Sequence, residues 1–457
     1  MNPLVILLIA IIAVVGMIIV LRVNAFIALI IAAILVSMLA PGKPEDKIAR
    51  VAQEFGNVVG SIGIVIALAA IIGKCLMDSG AADQIVRSFL RVLGEKRASW
   101  ALMGSGFVLS IPVFFDTVFY LLIPLARSLW RRTRKNYILY VAAIVAGAGV
   151  THNLVPPTPG PLFAADRLNI DLGLMILIGT LVGLPAAVIG LIVCGIINRF
   201  MDIPMRPYSG EPEPEPLADE QLPPLWLSLL PVILPVVLIS ANTAAKAFAK
   251  AEDATPFVQN AVRAATILGN PNLALLISAV MAMLLVVWKR KLPLRKLADA
   301  VDSALMSGGI IILITASGGA LGAMLRLSGI QDSVAKFVGS GQHHVGMVIL
   351  VLGFMVASLI KFAQGSSTVS TITAASMFAA MGITPQMLGC NPVYLATAIC
   401  SGSLVGDWMN DSGFWVFARM SALTETEALK SFTVVTAVTG LTGFGVTLIL
   451  AKLLPLT

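Results

Sequence analysis

Four short polar interruptions break otherwise apolar stretches of the chain, at residues 111–117, 151–160, 363–368 and 406–413. They carry the ionisable residues Asp116, His152, Asp407 and Asp411, and the hydrogen-bonding residues Thr151, Asn153, Thr158, Gln364, Ser366, Ser367, Thr368, Asn410 and Ser412. Ionisable groups inside apolar segments are costly and point to function by default. Held in a low-dielectric cavity, Asp116, His152, Asp407 and Asp411 are the groups that could carry a coupling proton. The hydroxyls and amides suit a polyhydroxylated or amino-bearing small molecule better than a lipid or a bare ion. Each interruption also bares helix-end N–H and C=O groups, and the partial positive charge of a half-helix N-terminus suits a carboxylate. Any one of these residues could instead serve as a cap, Asp411 for a half-helix beginning at Ser412 and Asp116 for the second arm of a hairpin. Lys361 could be a counter-ion for an anionic substrate or could pair with an Asp, whereas Lys74 is expected to snorkel to the interface. His343 and His344 fall in a predicted outer loop and take no role.

The elements that must position these groups follow from composition. Of 457 residues, 58% are hydrophobic and only 12% charged, and the mean hydropathy is +0.94. A soluble protein carries about a quarter charged residues, so water is not the solvent for most of this surface. That excludes a soluble enzyme, a nucleic-acid binder and a disordered scaffold, and it predicts an all-α integral membrane protein. The net charge of +7 then marks cytoplasmic loops, not nucleic-acid binding. Met1-Asn-Pro-Leu lacks a basic leader region, so the first apolar stretch is expected to be a retained transmembrane helix. Cys75, Cys194, Cys390 and Cys400 share no metal-like spacing and read as small core residues. With three histidines, no His-Glu-x-x-His and no Gly-x-Ser-x-Gly elbow, the sequence predicts no enzyme, no cofactor and no metal.

Candidate spans run over 4–21, 24–40, 58–77, 137–165 (interrupted), 172–197, 225–241, 272–288, 304–325, 391–418 (interrupted) and 432–453. Basic clusters at 87–97, 127–135 and 289–296 should be cytoplasmic by the positive-inside bias. The first two are separated by the apolar stretch 100–126 alone. One crossing would strand one cluster outside, and two full crossings need about 40 residues. The stretch is therefore predicted to be a re-entrant hairpin that turns at Pro112 near mid-membrane. A second hairpin is predicted over 345–381. Residues 201–224, with Glu211-Pro-Glu-Pro-Glu-Pro216, read as a cytoplasmic linker between halves 1–200 and 225–457.

The second half repeats the first. Gly73-Lys-Cys-Leu-Met-Asp-Ser-Gly-Ala-Ala-Asp83 aligns with Gly322-Ala-Met-Leu-Arg-Leu-Ser-Gly-Ile-Gln-Asp332 at one constant offset. Charge places the two aligned spans in opposite directions, which predicts inverted repeats, each with one hairpin and one discontinuous helix.

At these residues the sequence resembles the GntP family of gluconate permeases. The carrying segments are Ile111-Pro-Val-Phe-Phe-Asp116 with Leu122-Ile-Pro124, Val150-Thr-His-Asn-Leu-Val-Pro-Pro-Thr-Pro-Gly-Pro161, Ala363-Gln-Gly-Ser-Ser-Thr-Val369 and Asn410-Asp-Ser-Gly-Phe-Trp415. The resemblance covers nearly the whole chain. It implies a secondary active transporter for proton-coupled uptake of gluconate or a related small hydroxy-carboxylate. The alternatives it leaves open are symport of D-serine or another small hydroxy or amino acid, and sodium coupling. It also implies a homodimer with an elevator-like motion.

Overall fold

A computed structural model describes residues 2–19, 21, 23–201, 203–206, 219–248, 256–291, 293–329, 345–409 and 411–456. Most of the predicted linker, including Glu211–Pro216, lies outside the described residues, as do His343, His344 and Asn410. The described residues form helices α1 (Pro3–Ile19), α2 (Ala25–Leu39), α3 (Asp46–Ser79), α4 (Ala81–Leu93), α5 (Ala98–Leu109), α6 (Phe115–Thr133), α7 (Tyr137–Leu154), α8 (Pro159–Arg167) and α9 (Leu172–Phe200). They continue as α10 (Leu225–Phe248), α11 (Pro256–Leu268), α12 (Pro271–Arg290), α13 (Leu294–Leu327), α14 (Val345–Gln364), α15 (Ser367–Ala380) and α16 (Pro385–Leu388). The last are α17 (Val393–Gly402), α18 (Ser412–Met420), α19 (Glu425–Ala428), a π turn (Leu429–Thr433) and α20 (Val434–Leu453). Seven helical segments among the described residues are long and apolar enough to cross a membrane.

α3 and α13 are longer than the apolar windows 58–77 and 304–325, at 34 residues each. At 1.5 Å per residue that is about 50 Å, against a hydrocarbon core of about 30 Å. The additional turns are polar, Asp46-Lys-Ile-Ala-Arg50 in one helix and Leu294-Arg-Lys-Leu-Ala-Asp299 in the other, so hydropathy alone does not register them. The breaks are also shifted from the predicted ranges. They fall at 110–114, 155–158, 365–366 and 403–411, because Thr151–Leu154 complete the last turn of α7 and Gly402 already ends α17.

The same succession of elements occurs twice: a 34-residue helix, two helices joined by a break, two more joined by a break, and a long final helix. The match extends below the element level. α3 is followed by Gly80 and α13 closely by Gly329, at φ of 79° and 82°, a left-handed turn that glycine adopts without a Cβ penalty. Just before each, a serine hydroxyl donates to the carbonyl three residues earlier, Ser79 to Leu76 at 3.3 Å and Ser328 to Leu325 at 2.6 Å. α3 and α13 pack along one another, with α12 on α3 and α2 on α13. In the other layer α5 packs on α7 and α14 on α17, and α9 and α20 flank them. Both of these contacts close on glycine. A Cβ on Gly147 would collide with the Met103 carbonyl of α5, and one on Gly402 with the Phe354 carbonyl of α14.

Of the candidate spans, Tyr137–Arg167 is the most enclosed, with 89% of its apolar window buried against 33–61% for the others. The discontinuous α7–α8 therefore runs through the middle of the molecule. All four cysteines are free and buried.

Candidate functional site

A cavity of about 500 Å³ opens where the helix breaks meet. Its wall takes Phe114, Asp116 and Thr117 from the start of α6, and Ser366, Ser367 and Thr368 from the start of α15. The loop into α18 supplies Asp407, Asp411 and Ser412, and the end of α7 supplies His152 and Asn153. Three helix N-termini and one C-terminus thus face one space.

The N-termini are not equivalent. Ser366 caps α15 by accepting from the Val369 amide at 3.3 Å, and Asp411 Oδ1 caps α18 by accepting from the Gly413 amide. Phe114, the residue that precedes α6, makes no side-chain cap. The first-turn amides of α6 therefore remain available to an anion in the cavity.

The electrostatic centre of the site is Lys361, near the end of α14 and fully buried. Its Nζ forms ion pairs with Asp407 Oδ1 and Asp411 Oδ2 and donates to the Gly365 carbonyl at 2.5 Å. Asp407 Oδ1 meets the ammonium as a charge pair and is not aligned as a hydrogen-bond acceptor. The ammonium thus donates two hydrogen bonds, to Gly365 and Asp411, and meets Asp407 through charge alone. Of the two roles open to Lys361, the structure puts it in the pair with Asp. Asp407 and Asp411 belong to the same irregular loop, whose shape is held by two indoles. Trp408 Nε1 donates to the Phe362 carbonyl at 2.9 Å, and Trp415 Nε1 donates to the Met409 carbonyl at 2.7 Å.

His152 stands edge-on to Phe114, with ring centroids 6.0 Å apart, and its buried Nδ1 has no hydrogen-bond partner among the described residues. Asn153 donates to the Gly149 carbonyl at 2.8 Å and accepts from the Ser403 hydroxyl at 3.5 Å, which links the two broken helices beside the cavity.

Two predicted residues lie elsewhere. Thr151 is fully buried, with its hydroxyl unpartnered among the described residues, and does not line the cavity. Thr158 donates to the Val155 carbonyl at 2.6 Å and closes the break of its own helix. The Gln364 side chain and the whole of Asn410 lie outside the described residues. Sequence reasoning missed Ser307 and Ile311 of α13, Thr117 of α6, and Phe432 and Thr436 around the π turn, all of which line the cavity. Ser307, Ile311 and Thr436 sit on uninterrupted apolar helices, where no break marks them.

The sequence profile described as "GntP family permease" matches residues 2–454 of this chain. The chain belongs to the GntP permease family. It is 33% identical to a gluconate permease of Pseudomonas aeruginosa, over 97% of each chain. It is 31% identical to a low-affinity gluconate transporter of Escherichia coli K12, over 95% of this chain and 94% of that one. The solved structure of the YdaH transporter of Alcanivorax borkumensis superposes with a TM-score of 0.62 at 16% identity, over 94% of this chain and 98% of that one, so the permease shares its fold. This GntP permease is accordingly a multi-pass inner-membrane transport protein and not an enzyme.

Proposed function

We propose that the permease carries gluconate, or a closely related small hydroxy-carboxylate, into the cell together with protons. The relatives named as gluconate permease and gluconate transporter support the cargo. The volume of about 500 Å³ lies within the range of small-molecule sites. The observation that carries the coupling is the charge of the site. Asp116, Asp407 and Asp411 stand against the single ammonium of Lys361, an excess of two negative charges when all are ionised. Bringing a further anion into such a site is strongly unfavourable at low dielectric unless positive charge enters with it. Protons on these carboxylates, with His152 as a further acceptor, supply that charge.

In this reading the substrate carboxylate docks on the uncapped amides of α6, and its hydroxyl groups face Ser367, Thr368, Asn153 and Ser412. The helix pairs α5–α6 and α14–α15 act as re-entrant hairpins. α5 has 12 residues, about 18 Å long, which is too short to cross a core of about 30 Å. The duplicated succession of elements, with the basic stretches 127–135 and 289–296 assigned to the cytoplasm by the positive-inside bias, supports reading the two halves as inverted repeats joined by residues 201–224.

Uptake of labelled gluconate into proteoliposomes tests the reading. An inward proton gradient should drive accumulation above the outside concentration, and a proton ionophore should abolish it. Accumulation driven by a sodium gradient at equal pH rejects proton coupling, and failure of gluconate under either gradient rejects the cargo.

A further inference from the structure

A second polar cavity, of about 100 Å³, lies at the junction of α8, α13 and α15. It is at the end of α13 remote from the basic stretch 289–296, and hence on the outer face by the positive-inside bias. None of its lining residues lines the central cavity.

Three polar groups there are left wholly or partly unsatisfied. Ser376, on α15, is only 1% exposed, and its hydroxyl has no hydrogen-bond partner among the described residues. Arg167, near the end of α8, keeps its guanidinium 5.4 Å from the Phe163 ring centroid. It forms an ion pair with the neighbouring Asp166 carboxylate at 3.2 Å, but its buried Nε–H is not aligned to donate there and has no hydrogen-bond acceptor among the described residues. Arg326, near the end of α13, is exposed, and its side chain has no ion pair or hydrogen bond among the described residues. The wall thus holds two guanidinium groups and one carboxylate, and Asp166 is partly engaged by the Ser61 hydroxyl at 3.4 Å. Glu54 of α3 contributes to the field at Arg167 but does not line the cavity. Gly322 keeps the floor open, since a Cβ there would sit 2.8 Å from that of Ser376.

Buried donors without acceptors are rare, and each one calls for a partner. Two guanidinium groups and a hydroxyl around a small cavity match the planar or tetrahedral oxygens of a carboxylate or phosphate. We infer that this junction is a second small-anion site, which takes a carboxylate or phosphate group against Arg167, Arg326 and Ser376 on the outer side of the permease. An anion bound there touches α8, α13 and α15 at once. The inference stands whether or not gluconate is the transported species.

Accessibility of a thiol placed in the cavity tests it. The native cysteines are all buried, so the full-length native protein gives the background, and Ser376→Cys changes a hydroxyl to a thiol of similar shape. In the purified S376C protein an anionic methanethiosulfonate reagent should modify this thiol. At constant ionic strength, inorganic phosphate or gluconate should slow the reaction. Arg326→Gln, a change at an exposed side chain, should slow the anionic reagent by about tenfold, leave a cationic one no slower, and remove the protection. Protection by gluconate alone identifies the transported type of anion as occupant, and protection by phosphate as well identifies a general oxyanion site. A thiol that does not react, a rate unaffected by R326Q, or protection by neither anion overturns the inference.

Discussion

Asp411 holds Lys361 through one carboxylate oxygen and the Gly413 amide through the other, so a single side chain ties the end of α14 to the start of α18. The ammonium it holds is fully buried. Removing one member of a buried charge set leaves the others uncompensated, at a cost of about 3–5 kcal/mol. Lys361→Met should lower the thermal stability of the solubilised permease by that order and abolish accumulation. Adding Asp407→Asn to it should restore part of the loss, because the two changes act on one network. A K361M protein as stable as the native one would show that the triad does not hold the break together.

Asp116 offers the opposite case. Its carboxylate faces the cavity with no hydrogen bond or ion pair among the described residues. Asp116→Asn should therefore cost far less stability than Lys361→Met, since it breaks no pair, while proton-driven uptake falls by at least tenfold. Asp411→Asn keeps an oxygen that can cap α18 but loses the ion pair with Lys361, so it should lose both transport and stability through the charge set and not through the cap. Near-normal accumulation by a well-expressed D116N would remove Asp116 from the coupling set.

Hydroxyl groups on the cavity wall should act on affinity. A hydrogen bond contributes about 1 kcal/mol net, roughly a fivefold change in binding. Ser367→Ala and Thr368→Ala are each expected to raise the half-saturation concentration about fivefold with little change in maximal rate. Thr158→Ala is the control, because its hydroxyl is already occupied by the Val155 carbonyl. If T158A weakens affinity as much as S367A does, the substrate reaches further along α8 than the cavity does.

The two glycine contacts should prove equally intolerant. A methyl at Gly147 meets the Met103 carbonyl and one at Gly402 meets the Phe354 carbonyl, both backbone atoms that cannot rotate away. Overpacking of this kind costs typically about 1–3 kcal/mol. Gly147→Ala and Gly402→Ala should each lower the unfolding temperature, whereas Gly195→Ala, with open space around it, should not. Tolerance at one of the pair but not the other would argue against equivalent packing in the two halves.

Much of the arrangement was legible in the sequence, because an interruption in an apolar stretch is a strong local signal. The breaks put Asp116, His152, Asn153, Ser366, Ser367, Thr368, Asp407, Asp411 and Ser412 on one list, and the structure places them around one cavity. Residues contributed by intact helices carry no such mark. Ser307 reaches the wall because α13 passes alongside, a fact of tertiary packing. Thr151 and Thr158 illustrate the opposite error: proximity to a break does not decide whether a hydroxyl turns to the cavity or to its own backbone. The Lys361 pairing was equally undetermined, since 46 residues separate it from Asp407.

The unequal capping of α6, α15 and α18 gives this duplicated architecture a sense of direction. Ser366 and Asp411 close off the helix ends of the later half, and Phe114 leaves that of the earlier half unmet. In the binding mode proposed above, the charged head of a guest anion lies toward α6 and its tail toward the Lys361 cluster. Under that mode the earlier half takes the acidic end of the cargo and the later half its neutral polar end, so a symmetric diacid should be carried less well.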